Sequence, residues 1–123
     1  MKIMVVDDEA DVLKVVITTL AIHGFETVPA VSGQECLSLL ENGIKPALIL
    51  LDIMMPGMDG FEVCRKIRED EKYRDIKIVM LSAKNQNRDA VDAYKYGADG
   101  FITKPFDPDK LINDVKIFIG EPE

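Results

Sequence analysis

The sequence predicts an α/β fold, in which a doubly wound sheet of five parallel strands carries helices on both faces. Five segments with strand character alternate along the chain with five segments of helical periodicity. Three of the strand segments are nearly continuous apolar runs, which is the pattern of strands covered on both faces. Strict alternation of this kind indicates a parallel sheet with helical crossovers. A length of 123 residues suits one compact domain, so we expect a single domain over residues 1–123.

The apolar content of each strand segment predicts its place in the sheet. The most apolar segments, which we expect at the centre, are Ile3 to Val6, Ala47 to Leu51 and Ile76 to Leu81. The second segment, Phe25 to Ala30, contains Pro29, which lacks the N–H group that a central strand needs. The fifth segment, Gly100 to Thr103, is a weaker apolar run. We therefore expect these two at the edges, which the flavodoxin-like strand order 2-1-3-4-5 satisfies.

Capping residues and apolar periodicity predict the helices between these strands. The first helix ends at Gly24, and the second begins with a capping box of Ser32 and Glu35 and ends at Gly43. Apolar residues at helical spacing lie on the first helix at Leu13, Val16, Ile17 and Leu20, and on the second at Leu37 and Leu40.

The last three helices are predicted by the same signals. Asp59 can cap the third, Asn87 can cap the fourth, which ends at Gly97, and Asp107 followed by Pro108 begins the fifth. Their apolar positions are Phe61, Cys64 and Ile67, then Ala90, Ala93 and Tyr94, then Leu111, Val115 and Phe118.

The composition excludes several classes of protein. The chain has 22 acidic and 15 basic residues, a net charge of −7 and no basic cluster, so we expect no direct contact with nucleic acid. No apolar run is long enough to span a membrane or to serve as a signal peptide, so we expect a cytoplasmic protein. In that compartment Cys36 and Cys64 are expected to be reduced, half-buried thiols.

Polar residues collect where the predicted strands end. Asp7 and Asp8 follow the first strand, Asp52 the third, Ser82 the fourth and Lys104 the fifth. Ligands of open α/β sheets bind outside the carboxyl ends of the strands, where the strand order reverses. In the order 2-1-3-4-5 that point lies between strands one and three, so the sequence predicts a site at this edge.

The charge of these residues predicts a divalent cation. The three aspartates bring three negative charges together and Lys104 offsets one, so a divalent ion would neutralise the remainder. Carboxylates without nearby His or Cys favour a hard ion. Mg²⁺ fits better than Ca²⁺ or Zn²⁺, because it binds through one or two carboxylates plus waters and phosphate oxygens. An aspartate beside Mg²⁺ and a lysine can attack phosphorus and form an aspartyl phosphate.

At this point the sequence resembles the response regulator receiver family of two-component systems, in particular the single-domain receivers of chemotaxis. The resemblance extends from Lys2 to Ile119. It rests on four motifs in the order of the predicted elements: Val5-Val6-Asp7-Asp8-Glu9, Leu50-Leu51-Asp52-Ile53-Met54-Met55-Pro56-Gly57-Met58-Asp59-Gly60, Leu81-Ser82-Ala83 and Lys104-Pro105-Phe106.

The resemblance implies roles for the residues of the site. Asp52 would be the phosphoacceptor, and Asp8, Asp52 and the backbone carbonyl of Met54 would bind Mg²⁺ directly, with Asp7 acting through water. Lys104 would pair with the acceptor carboxylate and later with the phosphoryl group. The domain would then be a phosphoprotein that catalyses its own phosphorylation and dephosphorylation, and not a conventional enzyme.

The resemblance also implies a switch and partners. Ser82 would move toward the phosphoryl oxygens, and Phe101, which lacks the tyrosine hydroxyl of chemotaxis receivers, would turn inward. The donor would be a sensor histidine kinase or a phosphotransfer protein. A downstream protein would bind the face formed by the fourth helix, fifth strand and fifth helix, and phosphorylation could drive a homodimer.

Three alternatives are weighed against this interpretation. A phosphatase of the haloacid dehalogenase type needs a second aspartate two residues after Asp52, where this chain has Met54. A flavin or nucleotide site needs a phosphate-binding loop after the first strand, where this chain has Asp7-Asp8-Glu9. A pseudo-receiver that never takes a phosphoryl group stays open, because only a phosphorylation assay distinguishes it.

Overall fold

The computed structural model describes residues 1–83, 92–104 and 106–120. Its sheet has five parallel strands in the order β2-β1-β3-β4-β5. This confirms the predicted strand order and the two edges, with Pro29 in an edge strand. The strands are β1 (Lys2–Val6), β2 (Glu26–Ala30), β3 (Leu48–Asp52), β4 (Lys77–Ala83) and β5 (Gly100–Lys104).

Most of the predicted helices begin at the predicted caps. The oxygens of Ser32, Asp59 and Asp107 accept hydrogen bonds from backbone N–H groups of the first turns. Asn87 and Ala90, predicted for the fourth helix, lie outside the described residues. The helices are α1 (Ala10–Ile22), α2 (Gly33–Glu41), α3 (Gly60–Arg68), α4 (described over 92–95) and α5 (Pro108–Ile119), with a 3₁₀ turn at Glu71–Tyr73.

Alternation along the strands divides the interior into two cores, one on each face of the sheet. In β1, Ile3 and Val5 face one core and Met4 and Val6 face the other. One core is closed by Leu13, Val16 and Leu20 of α1 with Leu111, Ile112 and Val115 of α5. The other is closed by Cys36 and Leu40 of α2, Val63, Cys64 and Ile67 of α3, and Ala93. The central strands are therefore buried on both faces, as their sequences predicted.

The strands extend further than their apolar runs. Asp52 ends β3, Ser82 is the penultimate residue of β4 and Lys104 ends β5, so these residues are held by the sheet instead of by flexible loops. Both cysteines are free, as expected, but they are completely buried and the expectation of half-buried thiols is wrong. None of the helices in the described ranges is long and apolar enough to cross a membrane.

Candidate phosphorylation and metal site

Three carboxylates meet at the carboxyl edge of the sheet. Asp7 directly follows β1, Asp8 is the next residue, and Asp52 ends the neighbouring strand β3. One oxygen from each lies within 4.8 Å of the others, so the three could hold a metal ion together. The sequence predicted this meeting, because parallel neighbours end at the same edge.

Lys104 connects two of these carboxylates. Its Nζ lies 2.8 Å from Oδ2 of Asp7 and 3.2 Å from Oδ1 of Asp52. The resemblance implied a pairing with Asp52, and the structure adds a shorter contact with Asp7. Because Lys104 ends β5, this ion pair also ties the far edge of the sheet to its centre.

The two adjacent aspartates have different surroundings. Asp7 is completely buried, and both its oxygens are used, since Oδ1 accepts a hydrogen bond from the backbone N–H of Glu9 and Oδ2 faces Lys104. Asp8 is exposed and makes no hydrogen bond or ion pair within the described part of the chain. It does not cap α1 either, because Glu9 holds the N-cap position without a side-chain bond. Asp8 is therefore the carboxylate most available to a ligand.

Asp52 is 4% exposed and ionises with difficulty. Burial raises the pKa of Asp52 to about 6, and although Lys104 opposes this shift, the negative charges of Asp7 and Asp8 add to it. Burial lowers the pKa of Lys104, but the hydrogen bond to Asp7 and the charge of Asp52 raise it by more, so the ammonium is retained. One lysine thus balances only part of the charge, and a cation would favour the ionised form of Asp52.

The start of α3 packs directly against the backbone of Asp52. The N–H of Gly60 donates to the carbonyl oxygen of Ile53 at 2.9 Å, and Asp59 caps the helix one residue earlier. A Cβ atom on Gly60 would collide with the carbonyl oxygen of Asp52 and lie 2.8 Å from Cα of Ile53. Asp59 was predicted as a cap, whereas Gly60 was given no role beyond its place in a motif, although a glycine beginning a helix beside a candidate site is a signal of close backbone approach.

The remaining predicted residues lie around this centre. Ser82 is 2% exposed and follows Leu81, the β4 partner of Asp52 in the strand register. Phe101 is 36% exposed and packs edge-on against Tyr94, with ring centroids 6.5 Å apart, so it faces outward here. The side chain of Met54 is 71% exposed between β3 and α3.

Comparison with known proteins identifies the class to which this fold and site belong. The family model described as the response regulator receiver domain matches residues 3–116. A CheY-like response regulator receiver domain protein from Methanospirillum hungatei has a structure similar to this chain, with a TM-score of 0.83 and 41% identity, over 97% of this chain and 94% of that one. A putative response regulator from Chloroflexus aurantiacus has a TM-score of 0.92 at 28% identity, over 98% of both chains.

Among curated proteins, the phosphate regulon transcriptional regulatory protein PhoB of Pseudomonas aeruginosa is 39% identical over 114 residues, which cover 93% of this chain and 49% of that protein. The chain spans about half the length of the curated relatives it matches. It belongs to the response regulator receiver family, a class of phosphoacceptor signalling modules that work with histidine kinases.

Proposed function

We propose that Asp52 is the residue that accepts the phosphoryl group, in a Mg²⁺-dependent transfer from a phosphohistidine of a partner protein. The observation that carries this proposal is the contact of Lys104 with Asp52 inside a cluster of three carboxylates. In the transfer an oxygen of Asp52 bonds to phosphorus and the bond from phosphorus to the histidine nitrogen breaks. Later hydrolysis of the aspartyl phosphate returns the domain to its starting state.

The hydrogen bonds favour Asp52 over its neighbours as the nucleophile. Asp7 uses one oxygen for the N–H of Glu9 and the other for Lys104. Asp52 uses only Oδ1 for Lys104, and Oδ2 accepts no hydrogen bond within the described residues. A carboxylate held by one oxygen and open at the other is positioned to attack.

We propose that the cation is Mg²⁺, bound by Asp8, Asp52 and the carbonyl of Met54, with Asp7 acting through water. An all-oxygen donor set and a net charge of two negative units support a hard divalent ion at this place. When bound, Mg²⁺ would neutralise charge on the carboxylates and on the transferred oxygens. Lys104 contributes a second positive charge at Oδ1 of Asp52, and its contact with Oδ2 of Asp7 keeps Asp7 oriented.

We propose that phosphorylation is transmitted through Ser82 and Phe101. The phosphoryl group adds negative charge at Asp52, which favours an arrangement in which Ser82 and Lys104 close onto it. Ser82 lies one residue beyond the strand partner of Asp52, and the ring of Phe101, which is 36% exposed, packs edge-on against Tyr94. The inward rotation of Phe101 would change the face formed by α4, β5 and α5, where we place a downstream protein or a second copy of the domain.

We further infer that the partner donating the phosphoryl group is a sensor histidine kinase or a phosphotransfer protein in the cytoplasm. Family membership supports the histidine kinase. Asp8 is exposed at the carboxyl edge of the sheet, so a phosphohistidine can approach the site from that side.

Intact-protein mass spectrometry after incubation with acetyl phosphate and Mg²⁺ tests the phosphoacceptor. The parent should gain about 80 Da, the mass of one phosphoryl group, and Asp52→Asn should not. Asp75→Asn is the matched control, because Asp75 is exposed and remote from the cluster, and it should label like the parent. An adduct that persists in Asp52→Asn would contradict the assignment, and a parent that stays unlabelled would favour the pseudo-receiver.

A further inference from the structure

A cavity lies at the amino edge of the sheet, opposite the carboxylates. It has a volume of about 400 Å³, within the usual range of small-molecule sites. Lys2, the first residue of β1, lines it together with Pro46, which lies before β3, and Ile76, which lies before β4. Lys2 begins β1 and Pro46 precedes β3, and the opposite ends of these two strands lead to Asp7 and Asp52, so a ligand here would not touch the phosphorylation site.

Lysines outnumber carboxylates among the residues that line this cavity. Three lysines, Lys2, Lys45 and Lys72, line it with one carboxylate, Asp75, in a chain whose net charge is −7. The three lysines come from separate segments, and the flexible side chains of Lys2 and Lys72 can turn their ammonium groups from Glu26 and Asp70 toward an anion beside Lys45.

These lysines are available to a ligand. Lys45 makes no ion pair or hydrogen bond within the described ranges. Lys2 lies 3.4 Å from Glu26 and Lys72 lies 3.7 Å from Asp70, and such solvent-exposed pairs contribute little free energy. A doubly charged phosphate can bind more than one ammonium at once and can compete with single carboxylates.

The floor of the cavity is apolar and rigid. Pro46 and Ile76 are buried, and the N–H of Ala47 donates to the carbonyl of Lys2 at 2.8 Å while the N–H of Lys77 donates to Ala47 at 3.1 Å. The backbone under the lysines is therefore held by the sheet ladder, so the floor requires little ordering when a ligand binds.

We propose that this cavity binds a small organic phosphate of about mononucleotide size, with the phosphate among the lysines and the apolar or aromatic body between the exposed side chain of Met1 and the floor formed by Pro46 and Ile76. The charge of the rim selects the phosphate, and the apolar floor selects an organic body over inorganic phosphate. The proposal is independent of phosphorylation at Asp52.

A titration followed by ¹H–¹⁵N NMR, with adenosine monophosphate as the probe and EDTA present, tests the proposal. Saturable shifts should be largest at the amides of Lys2, Ala47, Lys72 and Ile76. Adenosine should bind far more weakly, because it has no phosphate, and inorganic phosphate should also bind more weakly, because it has no apolar body.

Charge variants make the test specific. Lys45→Glu should weaken the binding of adenosine monophosphate by about fivefold or more, whereas Lys14→Glu, the same change on the exposed side of α1, should alter it by less than about twofold. Lys45→Gln gives a smaller loss and serves if the charge reversal disturbs folding. Shifts centred on Asp8 and Asp52, equal losses in both charge-reversal variants, equal affinity for inorganic phosphate, or no saturable binding would each overturn the proposal.

Discussion

At the scale of single residues, Asp52 destabilises the fold in the ionised form that the proposed reaction requires. An aspartate whose pKa is raised from 3.8 to about 6 by burial holds its proton more tightly in the folded chain than in the unfolded chain. At low pH, where Asp52 is protonated, the residue therefore makes its full stabilising contribution to the free energy of unfolding. This contribution is lost as the pH rises from about 4 to about 6. At neutral pH without a cation, the ionised carboxylate destabilises the fold, although this is the form that the proposed nucleophile needs.

Asp52→Asn should therefore stabilise the protein at pH 7.5 in EDTA. The pKa shift corresponds to a cost of up to about 3 kcal/mol, and relaxation of nearby water reduces it, so we expect a gain of about 1–2 kcal/mol. Lys104 keeps Asp7 as a partner in this variant. Urea denaturation between pH 4 and 8 measures the effect, which should vanish near pH 4. Exposed Asp75→Asn is the control, and a gain that increases as the pH falls would contradict the mechanism.

At the scale of elements, the start of α3 determines where Asp52 lies. Asp59 caps the helix with a 2.9 Å hydrogen bond from the N–H of Glu62, and Gly60 then passes against the backbone of Asp52 and Ile53. The opposing atoms belong to the main chain at the end of β3, which cannot rotate away as a side chain can. The helix and the acceptor strand are therefore coupled at a point where only glycine fits.

Gly60→Ala should displace α3 or Asp52, the proposed phosphoacceptor. We expect destabilisation of about 1–3 kcal/mol from the overpacked contact, together with slower labelling by acetyl phosphate because Asp52 moves relative to Lys104. Thermal melts and the rate of mass-spectrometric labelling measure the two effects. Glu62→Ala, a change on the exposed side of the same turn, should keep the labelling rate of the parent. A Gly60→Ala protein with the melting temperature and rate of the parent would show that the backbone contact is loose.

At the scale of the whole molecule, most of the fold was predictable because apolar periodicity reports which faces of an element are buried. The strands β1, β3 and β4 read as apolar runs because cores lie on both of their faces, and the proline in β2 indicated an edge. Strand ends were less predictable. Asp52 and Lys104 are paired in the ladder despite their charges, because backbone hydrogen bonding does not depend on side-chain polarity.

The site was predictable as a set of residues but not as a geometry. Chain order and strand order brought Asp7, Asp8 and Asp52 to one edge, since neighbouring parallel strands end together. The Nζ of Lys104 lies closer to Asp7, at 2.8 Å, than to Asp52, at 3.2 Å. This difference depends on side-chain positions, which residue spacing in the sequence does not encode. The same holds for the difference between the buried Asp7 and the exposed Asp8, which are adjacent in the sequence.

The excess of negative charge at one edge should make the stability of the fold depend on cations, which can be tested on the whole domain. An ion that binds the folded chain and not the unfolded one stabilises it by mass action, by about 1.4 kcal/mol at ten times its dissociation constant. For a domain of this size, Mg²⁺ at that concentration should raise the melting temperature by about 4–6 °C, measured against NaCl of equal ionic strength.

Two variants separate specific binding at the cluster from general screening of a chain with a net charge of −7. Asp8→Ala should lose the response to Mg²⁺, because Asp8 is the carboxylate with no competing hydrogen bond within the described chain. Asp75→Ala removes the same charge from an exposed place at the opposite edge of the sheet and should keep the full response. If Mg²⁺ shifted the melting temperature equally in both variants, it would be acting as a diffuse counterion. That result would contradict the assignment of Asp8 as a metal ligand.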